Sequence, residues 1–344
     1  MALKISDLGG EAALINVIRD KFGAPSTGDL ALGIGDDAAL IHAGDSLLIV
    51  TTDMLVEGTH FRMDITDPYL LGWKSAAVNI SDIAAMGGIP TYSFVSIGLP
   101  DIEIEVVESI YEGMHDVSAR YGSVIAGGDT VASRGGIVIN VTQLGTVESG
   151  KVARRDGAEP GDAILVTNTI GDSRAGLELL LRFGLPPLTP PCKGGDWGAR
   201  GSEQCVLSHL KPEPRVNEAR AAVATGKVHA MMDLSDGLAS DLCKLCEASK
   251  VGARVIADAL PISEDLHIAA ARLDADPIHL AAGGGEDYEL LLTCDAKSAP
   301  EIARAVASTG STIRAIGEIV EGHGVVLVLP TGEEEPIGGS WEHF

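Results

Sequence analysis

The chain has 344 residues, which is enough for about two domains of ordinary size. Its formal net charge is −24, from 25 basic and 49 acidic residues, and this excess of negative charge argues against a surface that binds nucleic acid or an anionic membrane. Aromatic residues make up only 4% of the chain, so stacking platforms for single-stranded nucleic acid are not expected either. The apolar share of 45% can supply well-packed cores.

Two features of the sequence predict a cytoplasmic protein. No apolar run approaches the ~20 residues that a membrane helix needs, and the first residues, MALKISD, lack the apolar stretch of a signal peptide. The five cysteines are an odd number in a long chain, which indicates reduced thiols. Cys243 and Cys246 form a C-x-x-C pair inside a helical pattern with no second pair nearby, so we interpret them as buried helix residues.

In the first half of the chain, the hydrophobic patterns predict alternating helices and strands. Helices are predicted over 8–22, 67–86 and 102–121, and strands over 46–52, 92–99, 123–126 and 136–147. The second of these helices has the clearest boundaries. Asp67 can cap its N-terminus, Pro68 suits its first turn, and the Gly-Gly pair at 87–88 ends it.

The 67–86 helix carries a short polar stripe on an otherwise apolar surface. Ser75, Asn79 and Asp82 are spaced i, i+4 and i+7, which places them on one face. An exposed helix face usually carries Lys and Glu instead. We therefore interpret the stripe as part of a binding site built into a packed wall, and not as a solvated face.

The second half of the chain repeats the alternation of helices and strands. Helices are predicted over 174–183, 215–225, 237–249 and 298–308, strands over 163–167, 228–232, 253–257, 288–293, 312–318 and 323–329, and an exposed loop over 184–204. The whole pattern predicts a fold of the α/β class (α+β type). Residues 1–149 are expected to form an N-terminal α/β domain, and residues 150–344 a C-terminal one.

Seven aspartates are candidates for a metal site: Asp36, Asp37, Asp53, Asp82, Asp129, Asp233 and Asp236. Four of them are expected at or just past the carboxyl ends of strands, where α/β folds gather ligands: Asp53, Asp129, Asp233 and Asp236. Clustered carboxylates repel one another unless cations lie between them, and Mg²⁺ takes oxygen ligands and often accompanies substrate phosphates. We therefore predict a magnesium-bridged nucleotide site.

Other nucleotide-binding motifs are either absent or contain residues that do not suit the binding of a phosphate group. The P-loop pattern G-x-x-x-x-G-K-[ST] does not occur. The segment 33–38, GIGDDA, imitates a dinucleotide fingerprint. However, Asp36 and Asp37 stand where a pyrophosphate would meet bare amides, and that contact is repulsive without a metal. The sequence has no H-E-x-x-H zinc motif and no G-x-S-x-G nucleophile motif.

Six short segments, taken together and in this order, resemble the thiamine-monophosphate kinase family. They are GIGDDA at 33–38, TTDMLVEGTHF at 51–61, AVNISDIAAMG at 77–87, GGDT at 127–130, DLSDGL at 233–238 and GGEDYEL at 284–290. The last residues, WEHF at 341–344, are similar to the end of the family's chains. The wider superfamily includes aminoimidazole ribonucleotide synthetase, selenophosphate synthetase and a hydrogenase-maturation protein.

The resemblance implies an ATP-dependent transfer of the γ-phosphoryl group to the phosphate of thiamine monophosphate, which gives thiamine diphosphate and ADP. It also implies several Mg²⁺ ions and a homodimer in which the N-terminal domains pair to form a shared β-barrel, with the nucleotide near that interface. The acceptor is already an ionised phosphate oxygen, so this chemistry needs no general base. It needs metals that hold two polyanions in line.

The resemblance further implies roles for individual residues. The metal ligands would be Asp37, Thr51, Thr52, Asp53, Asp82, Asp129, Asp233 and Asp236, and four of these are expected to be catalytic, namely Asp37, Asp53, Asp129 and Asp236. ATP would contact Gly128, Asp129, Arg155 and Ser235, with Arg154 as an alternative to Arg155. The thiamine phosphate would contact His60, Glu286 and Trp341.

Two other functions are open at this point. The first keeps the ATP site but uses another acceptor, as the sister synthetases do. The chain lacks the reactive N-terminal cysteine of selenophosphate synthetases, since its first cysteine is Cys192, and it ends in Phe344 where the hydrogenase-maturation relatives end in cysteine. The second is a non-enzymatic acidic protein that binds a metal or a partner. It would bind metal without nucleotide, which calorimetry with an ATP analogue would reveal.

Overall fold

The computed structural model describes residues 11–23, 28–184 and 203–337. In the first half, the elements are α1 (Glu11–Phe22), β1 (Leu30–Leu32), β2 (Ala39–Ala43), β3 (Ser46–Val56), α2 (Pro68–Ala85), β4 (Ile89–Leu99), α3 (Ile104–Arg120), β5 (Val124–Ala132) and β6 (Val138–Glu148). In the second half, they are β7 (Asp162–Thr167), α4 (Asp172–Phe183), α5 (Glu203–Leu210), α6 (Val216–Ala224), β8 (Ala230–Asp233), α7 (Leu238–Ser249), β9 (Gly252–Ile256), α8 (Glu264–Leu273), α9 (Pro277–Gly283), β10 (Leu290–Asp295), α10 (Ala299–Ala307), β11 (Ile313–Val320), β12 (Gly324–Val328) and β13 (Glu334–Pro336).

Two mixed sheets organise these elements, one in each half of the chain. The first has six strands in the order β1-β2-β3-β6-β4-β5, and its pairs are antiparallel except for β4–β5. The second has seven strands in the order β13-β12-β9-β11-β7-β10-β8, and its pairs are antiparallel except for β9–β12. The prediction of a mixed α/β fold in two halves is therefore confirmed.

Helix α2 lies between the two sheets. As predicted, Asp67 caps its N-terminus by accepting hydrogen bonds from the backbone N–H groups of Tyr69 at 2.9 Å and Leu70 at 3.4 Å, and Pro68 is its first residue. Of its 18 residues, 16 are buried, because it packs against α3, β3 and β6 of its own half and against α6 and β8 of the other half. Polar side chains on α2 can therefore contact residues from either half of the molecule.

Helices α2 and α3 come so close that only glycine fits at two contact points. A Cβ atom on Gly72 would lie 1.8 Å from the carbonyl oxygen of Ile110, and one on Gly113 would lie 1.9 Å from the carbonyl oxygen of Tyr69. Both obstacles are backbone atoms of a helix, so they cannot move aside. The contact fixes α2, and the polar residues on it, against α3.

Two of the strands that extend beyond their predicted ends change the position of two candidate aspartates. The strand predicted over 123–126 continues to residue 132 as β5, because it pairs in parallel with β4. Asp129 therefore lies inside an exposed edge strand and not at its end. Strand β3 continues to residue 56 because β6 pairs with its whole length, so Asp53 also lies inside a strand.

Other differences concern short elements and one turn. The strand predicted over 288–293 begins only at residue 290, because Glu286 and Tyr288 have positive φ angles of 64° and 52°. Strands β1, β2 and β13 and helices α5, α8 and α9 were not predicted. Strands β1 and β13, of three residues each, are too short to carry a periodic signal. The loop predicted over 184–204 lies largely outside the described residues, and its last two residues begin α5. None of the described helices is long and apolar enough to cross a membrane.

Candidate functional site

Three carboxylates from distant parts of the sequence meet beside α2. Asp37 follows the glycine-rich turn before β2, Asp82 lies on α2, and Asp233 is the last residue of β8. One oxygen of each carboxylate lies within 4.8 Å of the others. The structure thus brings together acidic groups from both halves of the chain, and we call this group the three-aspartate cluster.

Two of these carboxylates each accept a hydrogen bond from a hydroxyl group on one oxygen. Thr51 Oγ1 donates to Asp82 Oδ2 at 2.5 Å, and Ser81 Oγ donates to Asp233 Oδ2 at 2.5 Å. Thr51 can do so because side chains alternate along β3, and residue 51 is on the face that packs against α2. The hydroxyls orient the carboxylates and leave their other oxygens for a ligand.

Asp53 lies on the same face of β3 as Thr51 and completes the inner acidic surface. Its backbone N–H donates to Asn79 Oδ1 at 2.9 Å, so a residue of the predicted polar stripe fixes the strand at this point. Burial, and next the charge of Asp236, raises the pKa of Asp53 to about 6. Asp53 and Asp236 are therefore close enough to repel each other.

The electrostatics of the cluster favour a cation. Burial, followed by the charge of Asp53, raises the pKa of Asp82 well above its usual value. Burial, followed by the charge of Asp37, does the same to Asp233. Asp37 Oδ2 is buried without a hydrogen-bond partner among the described residues. Such an atom can only accept, and a hard cation such as Mg²⁺, which takes oxygen ligands, fits it.

Arg155 is the arginine that reaches the acidic turn. Its guanidinium forms an ion pair with Asp37, and its Nε lies 3.7 Å from Asp36 Oδ1. Burial, and next the charge of Asp37, raises the pKa of Asp36 to about 7, although Arg155 opposes this shift. Arg154 instead pairs with Asp156 at 2.5 Å near the surface. Of the two arginines left open by the sequence, the structure brings Arg155 to the aspartates.

A lysine that sequence reasoning missed holds Asp236. The ammonium of Lys244 contacts the carboxylate of Asp236 and lies 2.8 Å from Asp241 Oδ1. Asp241 Oδ2 also accepts from the backbone N–H of residues 236 and 237, so it fixes the turn that follows β8. The neighbouring Ser235 uses its carbonyl oxygen to accept from the backbone N–H of Glu286 at 2.7 Å. A signal was available, since residues 241 and 244 are one helical turn apart.

Glu286 is the second residue whose partners the sequence did not reveal. Its Oε1 lies 2.8 Å from Lys74 Nζ, and its Oε2 lies 3.2 Å from His209 Nδ1. Burial acts to raise the pKa of Glu286, but the effect of Lys74 and the smaller effects of His209 and His60 together outweigh it and lower the pKa below its usual value. His60, in the loop after β3, also acts to lower the pKa of Glu286, and its Nδ1 accepts from the backbone N–H of Val56 at 3.0 Å.

The remaining predicted residues are not part of the inner acidic surface. The hydroxyl of Thr52 lies on the opposite face of β3, where it is 3.2 Å from the carbonyl oxygen of Val141. Strand register puts Asp129 beside Ser96, on that same outer face, and it is exposed. Gly128 is next to it, and a Cβ there would lie 1.8 Å from the carbonyl oxygen of residue 95. The prediction for Trp341 lies outside the described residues.

Comparison with known proteins gives a consistent result. The family model described as "AIR synthase related protein, N-terminal domain" matches residues 35–147, and the one described as "AIR synthase related protein, C-terminal domain" matches residues 159–330. A thiamine-monophosphate kinase from Bacillus subtilis is 36% identical over 308 residues, which cover 89% of this chain and 90% of that protein. One from Escherichia coli K12 is 34% identical and covers 92% of each chain.

The solved structures agree with the sequence comparison. A structure described as "AaThiL complexed with AMPPCP and TMP" is 32% identical, has a TM-score of 0.84, and covers 100% of both chains. Thiamine-monophosphate kinase from Stenotrophomonas maltophilia is 34% identical, with a TM-score of 0.75, and the match covers 94% of this chain and 96% of that one. The likeness therefore extends over both sheets.

Proposed function

Since this chain belongs to the thiamine-monophosphate kinase family of AIR synthase related proteins and phosphorylates thiamine monophosphate with ATP, we propose that its grouped aspartates hold the Mg²⁺ ions for a direct in-line transfer. The observation that carries this mechanism is the three-aspartate cluster, whose carboxylate oxygens lie within 4.8 Å of one another. The buried Asp37 Oδ2, which has no partner among the described residues, supports it further.

The chemical problem is to bring two polyanions together. At 4 Å, two unit charges repel by about 4 kcal/mol at an effective dielectric constant of 20. Bound Mg²⁺ ions neutralise the phosphate oxygens and align donor and acceptor, which is most of what catalyses phosphoryl transfer. The acceptor oxygen is already ionised, so the aspartates act as metal ligands and no residue has to remove a proton.

The proposed ligands fall into two groups according to their position. On the inner side, Mg²⁺ would be held by Asp37, Thr51, Asp53, Asp82, Asp233 and Asp236. Arg155 and Ser235 would contact ATP, and the ion pair of Arg155 with Asp37 supports this placement beside the metal ligands. On the outer face of the sheet, the roles of Thr52, Gly128 and Asp129 toward metal and nucleotide are proposed from the family resemblance.

The acceptor side of the site would be formed by Glu286 and His60. Glu286 has a lowered pKa and is a carboxylate at neutral pH, so it suits the positively charged ring system of thiamine monophosphate. His60 lies close enough to Glu286 to affect its titration. For Trp341, stacking on a ring of the substrate stays a prediction.

We further propose a homodimer in which the two six-stranded sheets join into a shared barrel. The outer face of this sheet exposes Tyr92 at 53%, Phe94 at 41% and Met54 at 53% of their surface. Strand β5 is a long exposed edge beside them. Exposed apolar patches and unpaired strand edges mark association surfaces. Thr52 and Asp129 share this face, so a nucleotide near the interface would reach them.

The proposal extends to the division of the chain into domains and to its location in the cell. The family-model matches at 35–147 and 159–330 support a division into an N-terminal domain, 1–149, that binds ATP and Mg²⁺ and forms the dimer, and a C-terminal domain, 150–344. A cytoplasmic location is proposed from the odd number of cysteines, of which the four that the structure describes form no disulfide.

One coupled assay for ADP release tests the function directly. With ATP, Mg²⁺ and thiamine monophosphate, we expect stoichiometric ADP and thiamine diphosphate, and no ADP when a chelator removes the metal. Thiamine without its phosphate is the matched control and should not be phosphorylated. Absence of turnover with thiamine monophosphate, while another phosphorylated acceptor from a small panel is consumed, would reject this function in favour of a sister activity.

The dimer has its own test. Light scattering after size-exclusion chromatography should give twice the chain mass of 35.6 kDa. Phe94→Glu places a charge on the proposed interface and should shift the protein to the monomer mass. Ile104→Glu is the control, because residue 104 is 61% exposed on α3, away from that face. A dimer that persists in Phe94→Glu would show that another surface is used.

A further inference from the structure

Glu286 is held on both carboxylate oxygens by residues from two other elements. Lys74 Nζ, on α2, lies 2.8 Å from Oε1, and His209 Nδ1, on α5, lies 3.2 Å from Oε2. Lys74 is only 4% exposed although it carries a charge. A buried ammonium is costly unless it is paired, and its ion-pair partner among the described residues is Glu286. This contact joins the two halves of the molecule.

The two partners of Glu286 act in different ways. Burial, and next the charge of Lys74, lowers the pKa of His209 to about 3, so its imidazole is neutral at pH 7. His209 therefore carries no net charge; its Nδ1 contacts Glu286 Oε2 at 3.2 Å and forms a hydrogen bond with Ser173 Oγ, also at 3.2 Å. Lys74 supplies the positive charge. Together they keep Glu286 ionised and limit it to one orientation.

The backbone around Glu286 is constrained as well. Its φ angle of 64° is unusual for a residue other than glycine, and Tyr288, two residues on, has a φ angle of 52°. The N–H of Glu286 donates to the carbonyl of Ser235 at 2.7 Å, and that of Tyr288 donates to the carbonyl of Leu234 at 2.9 Å. The loop is thus tied to the turn after β8, and the proposed metal ligands Asp233 and Asp236 lie at the end of β8 and in this turn.

Helix α2 sets the distance between the two ends of the site. Lys74 and Asp82 are eight residues apart on this helix, which corresponds to a rise of about 12 Å. Asp82 belongs to the three-aspartate cluster, and Lys74 holds Glu286. A rigid helix, buried along most of its length, therefore links the proposed phosphate end to the proposed ring end of the acceptor substrate.

We propose that Lys74 and His209 are positioning residues for the acceptor, which hold Glu286 as an ionised, singly oriented carboxylate for an N–H donor or a cationic ring of the substrate. This inference rests on the proposed role of Glu286 toward thiamine monophosphate. Neither residue has to touch ATP or the reacting atoms. Their loss should therefore weaken binding of the acceptor while the nucleotide end of the site keeps its properties.

The test separates KM for each substrate from kcat. In Lys74→Met, which keeps an unbranched side chain but removes the terminal charge, we expect KM for thiamine monophosphate to rise about tenfold to a hundredfold, as for loss of a charged hydrogen bond. KM for Mg-ATP should stay within about twofold. In His209→Leu, KM for thiamine monophosphate should also rise. In His209→Asn, whose amide N–H can replace Nδ1–H, this KM should return most of the way to the parent value.

The pH profile gives a readout that a merely structural role would not move. The titratable groups that face Glu286 are Lys74 from α2, His209 from α5, His60 from the loop after β3, and Tyr288 from its own loop. Without Lys74, the largest of the effects that oppose burial is lost, so Glu286 protonates at higher pH. In Lys74→Met, KM for thiamine monophosphate should rise more steeply between pH 8 and pH 6 than in the parent protein.

Each outcome supports or overturns the inference. Equal losses toward both substrates without a change of pH profile would mean a structural role, and a selective rise of KM for Mg-ATP would assign Lys74 to the nucleotide. If Lys74→Met does not fold, the inference is tested by comparing His209→Leu with His209→Asn. Equal KM values for thiamine monophosphate in those two variants would overturn it. Lack of turnover by the unchanged protein would instead reject the proposed function, so the two failures are distinguishable.

Discussion

Thr51 Oγ1 lies 2.5 Å from Asp82 Oδ2 and donates a hydrogen bond to it across the contact between β3 and α2. The bond orients a buried carboxylate whose pKa is raised by burial and by the neighbouring Asp53. It also ties the acidic site to the most buried of the described helices.

Asp53→Asn tests whether the inner aspartates are metal ligands. The amide keeps the shape of the side chain but removes its charge, so we expect Mg-ATP turnover to fall by about 100-fold or more. Without Mg²⁺, its Tm should equal or exceed that of the parent protein, because a repulsive buried charge is gone. Asp45→Asn, at an exposed turn, is the control and should be fully active. Full activity in Asp53→Asn would make residue 53 an ordinary strand residue.

The two neighbouring arginines form a natural pair for comparison. Arg155→Ala removes the guanidinium that contacts Asp37, and turnover should fall by about 100-fold. It should also lower the Tm measured in chelator, since the pair Asp36 and Asp37 loses its counter-charge. Arg154→Ala removes only a surface ion pair and should stay within about threefold of the parent activity. The reverse order of effects would assign the ATP contact to Arg154.

The stability of the metal-free protein should depend on pH in a particular direction. The folded-state pKa values of Asp36, about 7, and Asp53, about 6, lie above the unfolded value of 3.8. The folded state therefore binds more protons, and stability is lost as pH rises from about 4 to 7, by an amount on the order of a few kcal/mol.

Thermal unfolding in chelator and in Mg²⁺ over this pH range measures that effect. Mg²⁺ should raise Tm most at the alkaline end, because it binds the carboxylates that repel one another there, and should flatten the slope. The difference between the two series removes the contribution of carboxylates outside the site. An equal Mg²⁺ effect at pH 5 and pH 7.5 would contradict a shared cation among these aspartates.

Gly113→Ala tests the close contact that fixes α2. Its Cβ would lie 1.9 Å from the carbonyl oxygen of Tyr69, so α2 and α3 must move apart, at a cost of about 3 kcal/mol in the free energy of unfolding. Activity should fall as well, because α2 carries Asp82. Gly150→Ala is the control, since the space around residue 150 is open. Urea denaturation measures both, and equal stability of the two variants would refute the packing argument.

The sequence by itself determined the helix that carries the site and the chemical type of the site. Asp67, Pro68 and the glycines after residue 86 act on their immediate neighbours, so their effect can be predicted from local rules. The identity of the acidic residues is likewise a property of the chain, and carboxylate oxygens suit Mg²⁺ whatever the fold.

Only the tertiary structure decided which of these residues meet. Strand pairing extended β5 and put Asp129 and Thr52 on the outer face of the sheet, away from Asp82, because a partner strand supplies hydrogen bonds that no local pattern encodes. The ion pair between Lys74 and Glu286 also lay beyond prediction. It depends on the burial of an ammonium against a loop from the other half of the chain, and burial is a property of the packed molecule.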